Sequence, residues 1–268
     1  MCTVGQVKVT LPEGEGVAGV AIMEDEVFVL RGNKSSDQIE VYDNKTHLLK
    51  RRLSVPNIRG FADMTASEHY CCVYIVDHIA GCIHKIHVKY SEATRWAISD
   101  EPLSISENMA HNVLVTCLFV RKIKEFRSHG ELLREVKLPV EVNKPRHAIQ
   151  LANGQLVVCH GGPGGQGHRV CLLTADGGQI VHSYSGEAGS LPYHVEVDDN
   201  GFVFVADLKN QKVTVLSPTL NFIRQFGLAS EEKWWPWRLV MDMVERRLYV
   251  AAMNDNDLEA GRVVVFSV

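Results

Sequence analysis

"PRHAIQLANGQLVVCH" (Pro145 to His160) and "PYHVEVDDNGFVFVAD" (Pro192 to Asp207) are two copies of one pattern. Each runs Pro, one residue, His, alternating apolar positions, Asn-Gly, and a second apolar run. His147 to His160 spans 13 positions, and so does His194 to Asp207. Self-similarity at a fixed spacing marks a repeat architecture. The frame extends in both directions. "PLSISENMAHNVLVTC" fits with Ser104 to Cys117 at 13 positions, and "PWRLVMDMVERRLYVAA" fits with Arg238 to Ala252 at 14. Looser copies open with "GVAGVAIMEDEVFVLR" and "GFADMTASEHYCCVYIVD". Pro102, Pro145, Pro192 and Pro236 are separated by 43, 47 and 44 residues, so six copies fill the chain.

Within a copy the period is that of strands. In the fifth, "HVEVD", "FVFVAD", "KVTVLS" and "FIRQFG" alternate every second residue and are separated by "DNG", "LKNQ" and "SPTLN". Asn-Gly between two such runs predicts a tight type I′ hairpin, whose central residues both need positive φ. Four strands per copy, six times over, predict an all-β, six-bladed β-propeller. The blades fall at about 17–58, 59–101, 102–143, 144–190, 191–235 and 236–268. The last copy holds only three strands, while "GQVKVTLP" near the N-terminus has no blade of its own and resembles the fourth strands "LLREVKLP" and "KRRLSVP". A closing strand at 5–12 is therefore expected to complete the C-terminal blade and remove the open edge.

Composition narrows the function classes. The 268 residues are 46% apolar, enough for a large core, with no apolar run of eighteen to span a membrane. "MCTVGQVKVTLPEG" lacks the basic flank and apolar run of a signal peptide. Seven cysteines form no C-x-x-C pair and sit in runs such as "VLVTC" and "LVVC", which reads as buried reduced thiols. A cytoplasmic location and no membrane partner are the expectations. A net charge of −4 argues against a protein coated in basic charge for nucleic acid.

The Pro before the first strand, "DNGFVFVAD" at the second and "NQKV" opening the third together resemble the NHL-repeat propellers, including those of the tripartite-motif (TRIM-NHL) ubiquitin ligases. The resemblance covers essentially the whole chain and is strongest in the fifth copy. It implies a non-catalytic scaffold whose mouth face binds protein or RNA. Here the second-strand Asp stands at Asp77 and Asp207, and is replaced by Arg31, Cys117, His160 and Ala252. No RING or B-box pattern of cysteine and histidine accompanies the repeats.

The entry of each first strand and the turn after each second strand converge on one face. The entry positions are Ala18 or Gly19, Asp63, Ser104, His147, His194 and Arg238, with Arg146, Tyr193 and Trp237 just before the last three. The turn positions are Arg31, Asp77, Cys117, His160, Asp207 and Ala252. The candidate binding residues on this face are Arg31, Arg146, His147, His160, Tyr193, His194, Trp237 and Arg238. Arginine beside exposed rings suits an acidic peptide or single-stranded RNA. A protein or peptide partner is the leading expectation, with RNA second.

Bland readings compete. Entry histidines also serve to bond a neighbouring blade's backbone, Trp234 and Trp235 suit packing between blades, and Lys122 and Lys124 fit a solvated strand face. Enzymatic readings have less to stand on. His147, His160 and His194 resemble the zinc ligands of peptide-amidating lyases, a propeller branch in which His directly follows the Pro. Here one residue intervenes, and on a strand that turns the side chain to the other side. Sugar-lactonase chemistry needs several carboxylates at the axis, where Asp63 alone is acidic. "HGGPGGQGHRV" lacks the Gly-Lys-Ser/Thr of a phosphate loop and reads as a glycine-rich turn. No catalytic set, resident metal or cofactor is expected.

Overall fold

Short alternating segments bounded by turn residues cannot bury an apolar face alone, so they pair into small sheets that stack on one another. The computed structural model describes residues 7–11, 14–32, 38–55, 58–161, 167–228, 233–254 and 260–268. Its strands form six sheets arranged as a six-bladed propeller, and among the described residues there is no helix, hence none able to cross a membrane. Blade 5 shows the unit: Pro192–Val197, Val203–Asp207, Lys212–Leu216 and Phe222–Gly227 pair in chain order, all antiparallel.

The core is divided among the seams. One apolar cluster fills each junction between neighbouring blades, such as Phe28 and Val41 against Met64 and Ile75 between blades 1 and 2. Second strands are covered on both faces, which is why "VLVTC", "LVVCH" and "VFVAD" are buried at every position. Fourth strands face solvent, and Phe222–Gly227 has no fully buried residue.

Ring closure follows the expected course. Val7–Thr10 pairs antiparallel with Ala260–Ser267, giving the last sheet its outer strand. Leu11 is buried behind that strand, and its N–H donates to the Val263 carbonyl. Residues 5, 6 and 12 of the expected closing strand lie outside the described residues. The seam between blades 6 and 1 is further fastened by side chains. Asn44 donates to Asp242 at 3.2 Å, and Arg31 donates to the Gly261 carbonyl while pairing with Glu40 at 2.8 Å.

Two expectations are corrected. The Asn-Gly turns are not type I′: Gly154 and Gly201 have φ of 85° and 80°, but the preceding asparagines do not enter the left-handed region. In each, the Gly N–H bonds three residues back, to Leu151 or Asp198, making a type I turn followed by one left-handed glycine. Lys122 and Lys124 do not form a solvated face either. Lys124 is buried and held by Asp100 at 2.8 Å and Glu135 at 3.3 Å, because the connection from blade 2 folds over it.

Candidate functional site

Every first strand carries the same irregularity. The register slips by one residue between Val17 and Gly19, Phe61 and Asp63, Pro102 and Ser104, Pro145 and His147, Pro192 and His194, and Pro236 and Arg238. A bulge inserts an unpaired residue and re-aims its side chain. The inserted positions are 18, 62, 103, 146, 193 and 237; Ala18 and Leu103 pack against the core clusters of their seams, whereas blades 4 to 6 insert Arg146, Tyr193 and Trp237. These three form the polar and aromatic part of the axial mouth.

Those three stack around the mouth. The Arg146 guanidinium lies 4.8 Å from the Tyr193 ring centre, and Tyr193 stacks on Trp237 at 4.3 Å with 24° between the rings. Trp237 Nε1 donates to the Ala18 carbonyl at 3.4 Å, anchoring the stack to blade 1. All three side chains remain half-buried. Arg146 Nε is buried without a hydrogen-bond partner. His168 is buried nearby, and burial followed by the charges of Arg146 and Lys209 holds its pKa below the ordinary histidine value.

One level below is a closed polar floor. Asp63 pairs with Arg238 at 2.8 Å, and the two side chains are 1% and 2% exposed. Asp63 also accepts the N–H of Met64 and of Ile105 in the next blade. His194 Nε2 and His147 Nε2 lie 3.6 and 3.9 Å from the same carboxylate, with the two rings stacked at 3.6 Å. His194 Nδ1 accepts the Leu239 N–H at 3.4 Å, the backbone role open to an entry histidine. Burial works to raise the Asp63 pKa, but Arg238 and then His194 outweigh it and hold the carboxyl well below its usual range. Burial holds His147 and His194 below the ordinary histidine value, so the floor contains one ion pair and two neutral imidazoles at neutral pH.

The eight candidate residues thus separate. Arg146, Tyr193 and Trp237 meet on the rim. His147, His194 and Arg238 meet on the floor, joined by Asp63. Arg31 is buried in the seam between blades 6 and 1, and His160 is buried with Nε2 3.3 Å from Cys171 Sγ, so neither faces the mouth. Burial and then the Arg169 charge lower His160 to about 4. The three-histidine set does not assemble, yet the parity argument against it also fails. The bulge resets the alternation after each Pro, bringing His147 and His194 together with Asp63.

Beneath the floor the axis opens into a cavity of about 230 Å³, lined by Ile22, Thr65, Glu107, His147, His194 and Glu196 among others. Burial pushes the Glu196 carboxyl up to about 7, against the Val197 and Met241 N–H groups that lower it. A carboxyl raised on folding favours the folded state when protonated. Its contribution is full below the ordinary value of 4.5 and is lost as pH climbs through about 7. Glu196→Gln, compared with the parent at each pH so that the histidines cancel, should melt higher at pH 8 and equally at pH 4.5. An identical offset at both pH values would mean that the carboxyl titrates normally.

No protein-family model matches the sequence, and comparison with curated proteins finds no match. Solved structures share the architecture. A catalytically inactive variant of virginiamycin B lyase from Staphylococcus aureus, with quinupristin, aligns over 95% of this chain and 81% of its own at TM-score 0.68 and 13% identity. Hydrazine synthase of Kuenenia stuttgartiensis aligns over 93% and 79%, at TM-score 0.67 and 16% identity. The WD40 β-propeller domain of Doa1 covers 100% of this chain and 97% of its own, at TM-score 0.68 and 12% identity. At these identities the likeness is one of fold. A lyase and a WD40 domain stand side by side in it, so it does not choose between catalysis and binding.

Proposed function

We propose that the chain is a non-catalytic, NHL-type binding propeller that recognises an acidic peptide segment of a protein partner at the rim of blades 4 to 6. The observation that carries the reading is the bulge-borne stack of Arg146, Tyr193 and Trp237, half open to solvent above a floor whose ion pair is already satisfied. A guanidinium laid on a ring keeps its edge N–H groups free to fork onto a carboxylate. Exposed Arg169 and Lys209 and half-buried Lys144 lie on the same blades and extend the positive sector. Tyr193 and Trp237 supply rigid apolar area of the kind that dominates binding hot spots. The NHL reading draws support from Asp77 and Asp207, which occupy the same turn position and accept the Arg59 and Leu191 N–H groups of the preceding connection.

Arg146→Glu and Trp237→Ala should each weaken capture of a fluorescent Asp/Glu-rich peptide pool about tenfold or more, a hot-spot effect of roughly 2 kcal/mol. The melting temperature of Arg146→Glu should stay close to the parent, that of Trp237→Ala should fall because its ring anchors blade 6 to Ala18 of blade 1, and a basic pool of equal length should bind poorly. Equal capture of both pools, or indifference to Arg146→Glu, overturns the reading. A mixed-sequence single-stranded RNA serves as the other arm. If it binds more tightly than the peptides and weakens steeply with salt, the mouth is an RNA site instead.

A further inference from the structure

The hairpin between the second and third strands of blade 2 holds a donor set that the mouth does not use. Asp77 ends the strand Cys72–Asp77, Cys82 opens the strand Cys82–His87, and the two residues are paired directly across the ladder. Cys82 and His84 are two apart on one strand, so their side chains share a face. Cys82 Sγ lies 3.5 Å from His84 Nε2, and the same nitrogen lies 3.6 Å from Asp77 Oδ2. All three residues are buried, with one donor atom from each within 4.8 Å of the others.

The geometry points to a zinc site at Asp77, Cys82 and His84, independent of what the mouth binds. Zinc bonds of about 2.0–2.3 Å in a tetrahedron place neighbouring donors roughly 3.3–3.6 Å apart. Two edges of the triangle already have that length, and the third closes with side-chain movements of about 1 Å. Thiolate, imidazole and carboxylate together suit a borderline-soft divalent ion. The carboxylate is held in place by the N–H groups of Arg59, Gly60 and Ala80, the outer bonding that orients metal ligands. Of the three donors Cys82 lines a groove of about 800 Å³, together with Arg59, Ala80, Arg95 and Trp96 among others, and a water or a partner's donor would reach the fourth position from there.

Two other donor clusters in the molecule differ from this one. Asp63, His147 and His194 also lie within 4.8 Å of one another, but the Arg238 guanidinium sits 2.8 Å from that carboxylate and supplies the cation itself. Asp77 makes no ion pair with Arg or Lys among the described residues. In blade 4 the equivalent positions give His160 and Cys171 in contact, yet no third donor joins them among the described residues.

The test is cobalt titration of the chelator-treated, intact chain. One equivalent of Co²⁺ should produce a thiolate-to-cobalt charge-transfer band together with the intense visible bands of a tetrahedral ion. Zn²⁺ should bleach both and raise the melting temperature. Cys82→Ser and His84→Gln should lose the charge-transfer band while circular dichroism reports a folded propeller. Cys171→Ser and His147→Gln should keep it. Absence of the band in the folded parent chain overturns the proposal without need of a variant, and so does a band that survives Cys82→Ser or vanishes with Cys171→Ser.

Discussion

Arg238→Met is expected to destabilise the propeller by about 3–5 kcal/mol at pH 8, the cost of leaving a buried partner charge uncompensated. The arginine is 1% exposed and lies 2.8 Å from Asp63, which is equally inaccessible. Its guanidinium also lies 4.6 Å from the Trp237 ring centre and 5.3 Å from that of Tyr193, so it joins the floor to the rim. Without it, Asp63 faces two imidazoles that burial keeps neutral. Those imidazoles then become the nearest groups able to take up a proton. The loss measured by urea unfolding should therefore be smaller at pH 5.5 than at pH 8. Asp63→Asn combined with Arg238→Met should recover part of the stability, because the Asn oxygen still accepts the Ile105 N–H that Asp63 now receives. Stability within 1 kcal/mol of the parent for the single variant, or an identical loss at both pH values, contradicts this account of the floor. Arg146 is the cleaner probe of binding, since charge reversal at Arg238 would unfold the site along with any partner contact.

Deletion of Cys2 to Leu11 should lower the melting temperature by roughly 10–20 °C, from a loss of about 5 kcal/mol. Burial of Leu11 accounts for about 1.5–3 kcal/mol and each ladder hydrogen bond for about 0.5–1.5. The ladder lost is that of Val7–Thr10 with Ala260–Ser267. The strand left behind, "AGRVVVFS", presents unpaired N–H and C=O groups beside an apolar run, so the truncated chain should also associate with itself. Leu11→Ala separates the two effects: it removes packing but keeps the ladder, and should cost about 2–4 kcal/mol without association. An unchanged melting temperature on truncation would mean that the ring closes by some other contact.

Legibility in the sequence followed the range of the interaction. Pro-x-His, Asn-Gly and the four alternating runs report local backbone preferences, and these set strand number, blade number and the closing strand. The entry positions Asp63, Ser104, His147, His194 and Arg238 were readable from spacing, with Ala18 or Gly19 open in the first blade; the ladder selects Gly19 and places the six opposite Val76, Thr116, Cys159, Ala206, Ala251 and Leu30, one level in all six blades. The bulge before them was not readable, because nothing in "PRH" or "PYH" distinguishes an inserted residue from a paired one. The set Asp77, Cys82 and His84 carries a signal in Cys-x-His opposite an Asp, but lacks the Cys-x-x-Cys spacing of common zinc motifs.

By itself, then, the sequence determined a six-bladed ring closed by its N-terminal strand, since periodicity and repeat spacing are properties of the chain taken a few residues at a time. Only the tertiary structure decided which polar residues meet. Asp63 and Arg238 are 175 positions apart and come from blades 2 and 6, and they pair because ring closure brings all six first strands to one axis. The same closure buries Arg31 in the seam between blades 6 and 1, while His160 is buried against Cys171 of its own blade and Arg146, Tyr193 and Trp237 stay half-buried at the mouth. A one-residue bulge, a feature of the paired ladder and not of either strand alone, separates the inserted Arg146, Tyr193 and Trp237 from the paired His147, His194 and Arg238.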